Sequence, residues 1–402
     1  MAMSSVPLRN ILDADFRANP EYRLVLFDRL PAEEQESLRD LTKDADFYGV
    51  LMPREGSART TKSVCTDTAL LLLTLDRPGR LPAYVRATLG EEANQAIAEL
   101  VLDGVLEIAR DDRFVCGSEA YDVIYGERKA TEARGTLPRL ARTALEYAQA
   151  LDIEDSIRLS ARLYFYNRVP LSAAWKRRFP GPDAVMAYLG IESGGVSRRA
   201  LEGRWAQMKV SPPFDGWSQW ESRDDRAPAR EARQGYKLYV SPRPDFVRDA
   251  FEAVVAALAD APAHHFKIGK DAAGMLRPDK IVIYFWDFEG LQETAKRIAA
   301  HLPGCPAQGV PFTASIVDDG LLSWGIDPPP EKDALAWQER ESWRLWITNR
   351  LATALLAAKR AQQRGGGPEP WWFALERLRL EKVDTETWAP LPAFGRPEAP
   401  EE

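Results

Sequence analysis

The sequence predicts an α+β fold in which a mainly helical first half precedes a C-terminal sheet with packed helices. Three observations lead to this prediction. The chain has 402 residues, enough for two or three domains. Its residues are 45% hydrophobic and 28% charged, as in a globular protein with a substantial core. Helical periodicity prevails before residue 230, whereas predicted strands and helices alternate after it.

The two ends of the chain are expected to differ from the rest. Residues 1–40 are predicted to form an amphipathic helical segment, and the Pro-rich, acidic residues 391–402 a disordered tail. The N-terminus lacks the apolar core of a signal peptide, and no run approaches the length of a membrane span. We therefore expect a cytoplasmic protein that does not bind membranes.

Residues 41–120 are predicted to form a separate small domain. Its predicted elements are a hairpin, three helices and a two-stranded wing, over residues 47–53 with 58–64, 67–75, 81–89, 94–104 and 105–117. Asp67 is predicted to cap the first of these helices, and Gly104 to end the third. This order of elements is that of a winged helix.

The charge of this domain bears on whether its partner is a nucleic acid or a peptide. The third helix and its lead-in carry four acidic residues and no Lys or Arg, namely Glu91, Glu92, Glu99 and Asp103. Nucleic-acid phosphates would be repelled there, and the net charge of −7 also argues against a nucleic-acid partner. The segment instead resembles the recognition element of pathways for ribosomally made, modified peptides (RiPPs). That resemblance implies capture of a leader peptide as an added β-strand. A purely structural winged helix is the alternative.

Residues 121–230 are predicted to be a helical region that ends in a connector. The run PPFDGWSQWESRDDRAPAREARQG (212–235) has turn residues and no apolar period, so a connector or a lid is expected there. Residues 231–390 are predicted to form the domain with the sheet. Its strands are expected over 236–241, 264–269 and 279–286, the last in a central position because it is continuously apolar.

Two of these strands carry a lysine beside other titratable side chains. Alternation places Lys237 and Tyr239 on one face of their strand, and His265 and Lys267 on one face of theirs. If the two strands pair with their apolar faces aligned, the lysines and the phenol occupy the opposite face together. The alternative is that all of them are ordinary solvent-facing strand residues.

Three arginines are candidates to complete such a site. Arg277 precedes the third strand, and Arg344 and Arg350 belong to a later helical region. Arginine clamps a phosphoryl group without titrating, whereas a lysine serves as a base only if its pKa falls from about 10 toward 7 to 8. Arg344 and Arg350 lie about 240° apart on a regular helix, so they share a site only if the helix begins between them or one precedes it.

The sequence contains few residues that could bind a metal or form disulfides. The three cysteines are widely spaced, at Cys65, Cys116 and Cys305, and only three histidines are present. These numbers fit reduced thiols and no metal site. We therefore expect no metal.

The motifs KLYVS, FKIG, RPDKIVIYF, GVPFT (309–313) and SWRLWITNR (342–350) together resemble the phosphothreonine lyases. That family comprises type III secreted effectors, lyase domains of lanthipeptide synthetases, and Hop-type lyases of thioamitide and class V lanthipeptide clusters. Its members eliminate phosphate from phosphoserine or phosphothreonine without a cofactor. The resemblance therefore implies a phosphothreonine lyase-like domain that produces dehydroamino acids.

The resemblance also implies roles for individual residues. Lys267 matches the general base and Lys237 the lysine that stabilises an enolate-like oxygen. Tyr239 stands where effector members place the histidine that acts as general acid, and His265 is the alternative acid. The remaining matches are the phosphate clamp, Arg277, Arg344 and Arg350, and two substrate contacts, Thr313 and Trp324.

The resulting hypothesis is a lyase that acts on a phosphorylated precursor peptide, leader and core. No glycine-rich-loop and HRD kinase signature is visible, so a separate Ser/Thr kinase is expected as partner. One alternative is a non-catalytic protein that holds phosphopeptide or leader peptide for that kinase. Another is a secreted effector lyase acting on host phosphoproteins.

Overall fold

The computed structural model describes residues 8–57, 59–126, 132–209, 216–223, 235–317, 319–328, 341–391 and 394. These residues divide into two compact units. Unit 1 holds the described residues up to 126 together with Thr353–Leu380. Unit 2 holds those between 132 and 328, Glu341–Ala352 and the described residues from 381 onward. The mixture of helix and sheet confirms the coarse α+β prediction.

Unit 1 contains two small antiparallel sheets with helices beside them. Its strands are β1 (Asp15–Ala18), β2 (Tyr22–Leu26), β3 (Phe47–Pro53), β4 (Lys62–Cys65), β5 (Gly79–Arg80), β6 (Leu106–Arg110) and β7 (Arg113–Val115). Its first helices are α1 (Ala32–Leu38), α2 (Thr66–Thr74), α3 (Ala83–Leu89), α4 (Ala93–Leu102) and α5 (Tyr121–Tyr125). The strand orders are β5-β1-β6-β7 and β2-β3-β4.

Most elements of unit 1 lie where the sequence predicts them. The β3–β4 hairpin, the three helices α2 to α4 and the β6–β7 pair follow the predicted order, while their winged-helix arrangement stays a prediction. Gly104 has a φ of +70° two residues after α4 ends, a conformation that glycine adopts easily. Asp67 is not the cap of α2, because it lies within the first turn and Cys65 holds the cap position.

The prediction of a helical segment over residues 1–40 is wrong for its middle part. Residues 15–26 form β1 and β2, which are joined through Asn19 and Pro20. Proline lacks an amide proton and interrupts a helix, and the aromatic and β-branched side chains of YRLVL favour a strand. The short helix α1 begins only at Ala32.

Unit 2 is built around one seven-stranded antiparallel sheet. Its helices and strands are α6 (Thr136–Ala150), α7 (Ser156–Tyr164), α8 (Ala173–Arg178), α9 (Pro182–Leu189), α10 (Val196–Glu202), β8 (Trp205–Gln207), β9 (Trp217–Ser222), β10 (Tyr236–Val240), α11 (Val247–Ala257), β11 (Ala263–Gly269), α12 (Ala272–Met275), β12 (Ile281–Phe285), α13 (Phe288–His301), β13 (Ala314–Ser315) and β14 (Leu322–Ile326). The strand order is β13-β14-β10-β12-β11-β9-β8. Helix α14 (Trp343–Gln363) begins in unit 2 and ends in unit 1, which also holds α15 (Pro370–Leu380).

The apolar face of the sheet is covered by α11 and α13. The inward residues of the central strand, Ile281, Ile283 and Phe285, are fully buried in this core. They alternate with Val282 and Tyr284, which point to the other face, as the period of two in a strand requires. The predicted central position of this strand is therefore confirmed.

Three expectations about unit 2 need correction. The predicted connector contains β9, whose alternation of Trp217, Gln219 and Glu221 with Ser218, Trp220 and Ser222 is that of a strand. The predicted domain boundary at 230/231 is not seen, because β8 and β9 belong to the same sheet as β10. The two lysine-bearing strands do not pair, since β12 lies between them.

Two further expectations concern the chain ends and membranes. The predicted disordered tail 391–402 lies outside the described residues except at positions 391 and 394. Within the described ranges, no helix is long and apolar enough to cross a membrane.

Candidate active site

One face of the seven-stranded sheet carries the predicted titratable residues. Across β12, Tyr284 pairs with Lys237 on one side and with His265 on the other. In the same way Val282 lies between Tyr239 and Lys267. Because paired residues of antiparallel strands point to the same side, all of these side chains share one face. The structure thus brings together four predicted residues, Lys237, Tyr239, His265 and Lys267.

Lys237 is held by an acidic partner at the end of β14. Its ammonium group forms an ion pair with Asp327, and only 7% of the residue is exposed. Its Nζ also lies 5.5 Å from the ring centre of Tyr284. This arrangement fixes a buried cation on the sheet face.

Lys267 lies between two aromatic rings. Its Nζ is 4.5 Å from the ring centre of Trp217 and 5.7 Å from that of Tyr284. No hydrogen bond or ion pair of its ammonium group with another described residue is found. Burial lowers the pKa of Lys267, and the nearby Arg277 lowers it further, against the opposing effects of Tyr164 and the carboxylates. A lysine in this environment loses its proton more readily than a lysine in water.

Arg277 and Arg344 converge on one carboxylate. Arg277 donates from Nε and Nη2 to the two oxygens of Asp279, each at 2.9 Å, and from Nη2 to the hydroxyl of Tyr164 at 3.3 Å. Arg344 donates from Nη1 to Asp279 at 2.8 Å and from Nη2 to the main-chain oxygen of Tyr164 at 2.6 Å. Both guanidinium groups lie over the Tyr164 ring, at 5.6 and 4.5 Å from its centre. These contacts orient both arginines.

The charges of this network reinforce one another. Burial alone would raise the pKa of Asp279, but Arg277 and Arg344 hold it well below its usual value. Burial alone would lower the pKa of Arg277, and the Asp279 carboxylate outweighs that effect and raises it. Two arginines against one carboxylate leave the network with an excess positive charge. In the described part of the chain, the buried Nε of Arg344 has no hydrogen-bond partner. An anion is the natural complement of this arrangement.

The two candidate acids differ in their surroundings. Tyr239 is 3% exposed, and burial raises its pKa well above the usual 10 although Arg344 opposes the shift. The half-buried His265 ring packs edge-on against Tyr284, with 4.9 Å between ring centres. Burial also raises the pKa of Tyr284, to about 12, with Lys237 acting in the opposite direction. Three proton donors therefore share this face.

Arg350 does not belong to the Asp279 network. Helix α14 begins at Trp343, so Arg344 and Arg350 lie in one continuous helix and face different directions. Arg350 lies 3.8 Å from the ring centre of Trp346 and pairs with Glu341 and Glu381, at 3.6 and 3.5 Å. The expectation that Arg350 joins the phosphate clamp is corrected accordingly.

Of the two expected substrate contacts, one is buried on the lysine-bearing side of the sheet and the other lies on the apolar side. Thr313 is fully buried, and its hydroxyl donates to the main-chain oxygen of Val310 at 2.6 Å and bonds Ser323 at 2.9 Å. Trp324 pairs with Leu238 and packs on Phe288, with 4.4 Å between ring centres, so it lies on the apolar side of the sheet. The structure does not bring these two side chains together.

Sequence reasoning missed four polar members of the site. They are Tyr164, Asp279, Tyr284 and Asp327. Tyr284 follows from the alternation within β12, and Asp279 from its place between two cations in RPDK. Tyr164 belongs to α7, 113 residues before Arg277, and no local pattern connects the two.

A second buried lysine lies next to Asp279. Lys280 donates from Nζ to the main-chain oxygen of Pro242 and to the side-chain oxygen of Gln308, both at 2.7 Å. Burial lowers the pKa of Lys280 to about 7, with Asp279 opposing the shift. Among the residues that the structure describes, no cluster of His, Cys, Asp or Glu suited to a metal ion is found.

Comparisons with known proteins give only distant likenesses. No family model and no curated protein matches the chain. Among solved structures, an effector from Pseudomonas syringae pv. tomato strain DC3000 is 12% identical with a TM-score of 0.41, over 65% of this chain and 99% of that one. The Chromobacterium violaceum VirA (SpvC) phosphothreonine lyase effector is 14% identical with a TM-score of 0.27, over 35% and 76%. The phosphothreonine lyase SpvC from Salmonella is 14% identical with a TM-score of 0.25, over 54% and 100%. Likenesses this distant do not establish a shared activity.

Proposed function

We propose that the chain is a carbon–oxygen lyase that eliminates phosphate from phosphoserine or phosphothreonine. The observation that carries the proposal is the position of Lys267, whose pKa is lowered, on the same face as Lys237. The Arg277–Arg344–Asp279 network lies near it, since the Arg277 guanidinium carbon is 4.8 Å from the centre of the Trp217 ring that Lys267 also contacts. An amine able to accept a proton beside cations able to hold an oxyanion is what β-elimination requires.

The proposed reaction transfers the α-proton and breaks the Cβ–O bond. The neutral amine of Lys267 removes the α-proton, and the electrons of that C–H bond form the double bond between Cα and Cβ. The Cβ–O bond breaks, and phosphate leaves with its electron pair toward Arg277 and Arg344. Lys237 stabilises the negative charge that develops on the adjacent carbonyl oxygen. The proton on Lys267 returns to water after release of the dehydroalanine or dehydrobutyrine product.

The leaving phosphate gains a proton from one of the face residues or leaves as the anion. Tyr239 and His265 both occupy the lysine-bearing face, and Tyr284 pairs with Lys237 and His265. The high pKa of the buried Tyr239 makes its phenol a weak acid. His265 is therefore the better acid in this proposal, while Tyr239 interacts electrostatically with Arg344.

We further propose that the substrate is a ribosomally made precursor peptide. In this proposal the winged-helix-like part of unit 1 holds the leader, which raises the local concentration of the core. A separate kinase supplies the phosphoryl group. The open edges of the β2-β3-β4 sheet support the proposal, because an extended peptide binds by extending such an edge. The protein would then act in the cytoplasm, within a lanthipeptide or thioamitide pathway.

A non-catalytic phosphopeptide holder is the second candidate. The observation that favours it is the full engagement of both Asp279 oxygens by the arginines, a buried ion network that also suits a purely structural or anion-holding role. A lyase acting on host phosphoproteins would share the chemistry proposed above and differ only in its substrate.

The test is incubation with synthetic phosphoserine and phosphothreonine peptides. A lyase removes the elements of phosphoric acid and leaves a dehydroamino acid that adds a thiol, both visible by mass spectrometry. A phosphatase would leave the hydroxyl group instead. Binding of the peptides without any change in their mass would contradict the lyase function and support the non-catalytic phosphopeptide holder. Adding a leader sequence in cis and in trans tests the role of unit 1.

A further inference from the structure

An open groove in unit 2 lies beside the proposed phosphate site. It has a volume of about 430 Å³ and is formed by α6, α7 and the residues just after α7. Its lining includes Tyr147, Arg158, Arg162, Phe165 and Tyr166. We refer to it as the α6–α7 groove.

Phe165 lines the groove and also contacts two residues of the proposed active site. This ring is 42% exposed, packs edge-on against Tyr164 at 5.3 Å between centres, and lies 5.4 Å from the guanidinium carbon of Arg277. The groove and the proposed phosphate site are therefore neighbours that share the Phe165 ring.

The charge of the groove is positive. Arg158 and Arg162 are exposed, lie four residues apart on α7 and share one face of the helix. Like charges at this spacing destabilise a helix slightly. Within the described chain neither arginine has an ion-pair partner, whereas Arg142 on α6 pairs with Glu146. Two unpaired guanidinium groups favour anionic side chains.

We infer that the α6–α7 groove binds acidic residues of the substrate polypeptide next to the phosphorylated residue. The inference rests on the proposed function, and it specifies the substrate class. Arg158 lies about 10 Å along α7 from Phe165 at 1.5 Å per residue, and an extended peptide covers that distance in about three residues. The preferred Asp or Glu therefore lies roughly two to five residues from the phosphorylated residue.

The test measures binding by the full chain to peptides whose phosphate ester oxygen is replaced by a methylene group. Such phosphonopeptides cannot undergo elimination, so binding is read independently of catalysis. Each peptide carries Asp, Ala or Lys at the flanking positions on one side. We expect the acidic peptide to bind roughly threefold to thirtyfold more tightly than the Lys peptide. The double variant Arg158→Glu/Arg162→Glu should lose or reverse this preference.

The double variant Arg177→Glu/Arg248→Glu is the matched control, since it changes the net charge equally at exposed arginines elsewhere. The inference is overturned if both double variants lose the preference equally, if neither does, or if no phosphonopeptide binds. Elimination from phosphopeptides at rates independent of their flanking charge would retain the lyase and remove the groove. A preference for acidic flanking residues that needs Arg158 and Arg162, without any elimination, would support the groove and contradict the lyase.

Discussion

At the scale of single residues, the environment of Lys267 is what makes the site chemically unusual. Two aromatic rings lie near the amine of this half-buried side chain, and the charge of Arg277 acts on it. A charged amine is stabilised by water, so removing water and adding Arg277 both favour the neutral form. Lys237 lies on the same face but has an acidic partner, Asp327, of its own. Two lysines on one face thus have different electrostatic roles.

Lys267→Ala should reduce the elimination rate by roughly two to four orders of magnitude, because the base that removes the α-proton is lost. The measurement is the rate of phosphate release from a phosphopeptide. Lys296→Ala, on the exposed side of α13, is the matched control and should retain full activity.

The pH profile separates a base from a structural lysine. Only the neutral amine accepts a proton. Where phosphate leaves as the anion and no acid must keep its proton, kcat/KM of the native protein should rise with pH and level off above the lowered pKa of Lys267. The assignment of Lys267 as the base would be contradicted by unchanged turnover in Lys267→Ala. It would also be contradicted by a rate that falls with pH where a rise is expected.

Asp279→Asn tests the carboxylate that orients the two arginines. An amide cannot balance two guanidinium charges, and Arg344, only 1% exposed, would be left with an uncompensated charge. Breaking a buried ion pair in this way costs about 3–5 kcal/mol of stability. The Tm from thermal unfolding and the KM for phosphopeptide should both change. Asp249→Asn, exposed on α11, is the control, and equal Tm values for the two variants would contradict the proposed role.

At the scale of elements, helix α14 is positioned by the strand beneath it. An added Cβ at Gly325 would lie 2.5 Å from Cδ1 and 2.7 Å from Cγ of Trp343. The indole of Trp343 is fully buried and donates to the main-chain oxygen of Phe312 at 3.0 Å. Arg344 is the next residue in the chain, so the approach of β14 to α14 also places the guanidinium group at Asp279.

Gly325→Ala should therefore destabilise unit 2 by roughly 1–3 kcal/mol, the usual cost of overpacking a filled core. It should also reduce elimination activity, although Gly325 itself lacks a side chain, because Arg344 moves with the start of α14. Chemical denaturation and phosphate release measure the two effects. Gly203→Ala, where an added Cβ meets no atom within 4 Å, is the control. A variant with normal stability and activity would show that this contact does not position Arg344.

Much of the sheet could be predicted from the sequence because strand alternation is local. The period of two places Lys237 with Tyr239 and His265 with Lys267 before any tertiary structure is known. That β12 separates the two lysine strands depends on chain topology, which no local pattern encodes. Tyr164 escapes prediction for the same reason, since tertiary packing alone brings α7 to Arg277.

The errors at this scale also have physical causes. The turn-rich neighbourhood of β9 conceals its alternation of aromatic and polar residues, so the sequence favours a connector where a strand forms. Arg350 shares a motif with Arg344, although helical geometry already places them on different sides.

At the scale of the whole molecule, burial of lysines links the stability of the fold to pH. Lys280 is completely buried, and its pKa of about 7 lies well below the value near 10.4 of a lysine in an unfolded chain. Between these two values the unfolded state binds more protons than the folded state. Stability therefore rises with pH over this window, and the cost of burying the charged amine is fully present below pH 7.

Lys280→Met should remove this contribution. Relative to the native protein, the rise in the free energy of unfolding from pH 7 to 10 should be smaller by up to about 1.4 kcal/mol per pH unit. The measurement is urea denaturation at several pH values in that range. Lys267 contributes in the same direction in both proteins, so it cancels in the comparison. Lys296→Met should keep the native slope, and parallel slopes for all three proteins would show that Lys280 does not titrate as described.

The insertion of β12 between the two lysine strands has a consequence for how the site varies. Neighbouring strands stand about 4.8 Å apart, so the separation of the two backbones that carry Lys237 and Lys267 is fixed by hydrogen-bonded spacing. Insertions or deletions in the connecting turns do not change that separation. Homologous chains can thus diverge widely at their periphery while the distance between the backbones that carry the two amines stays the same.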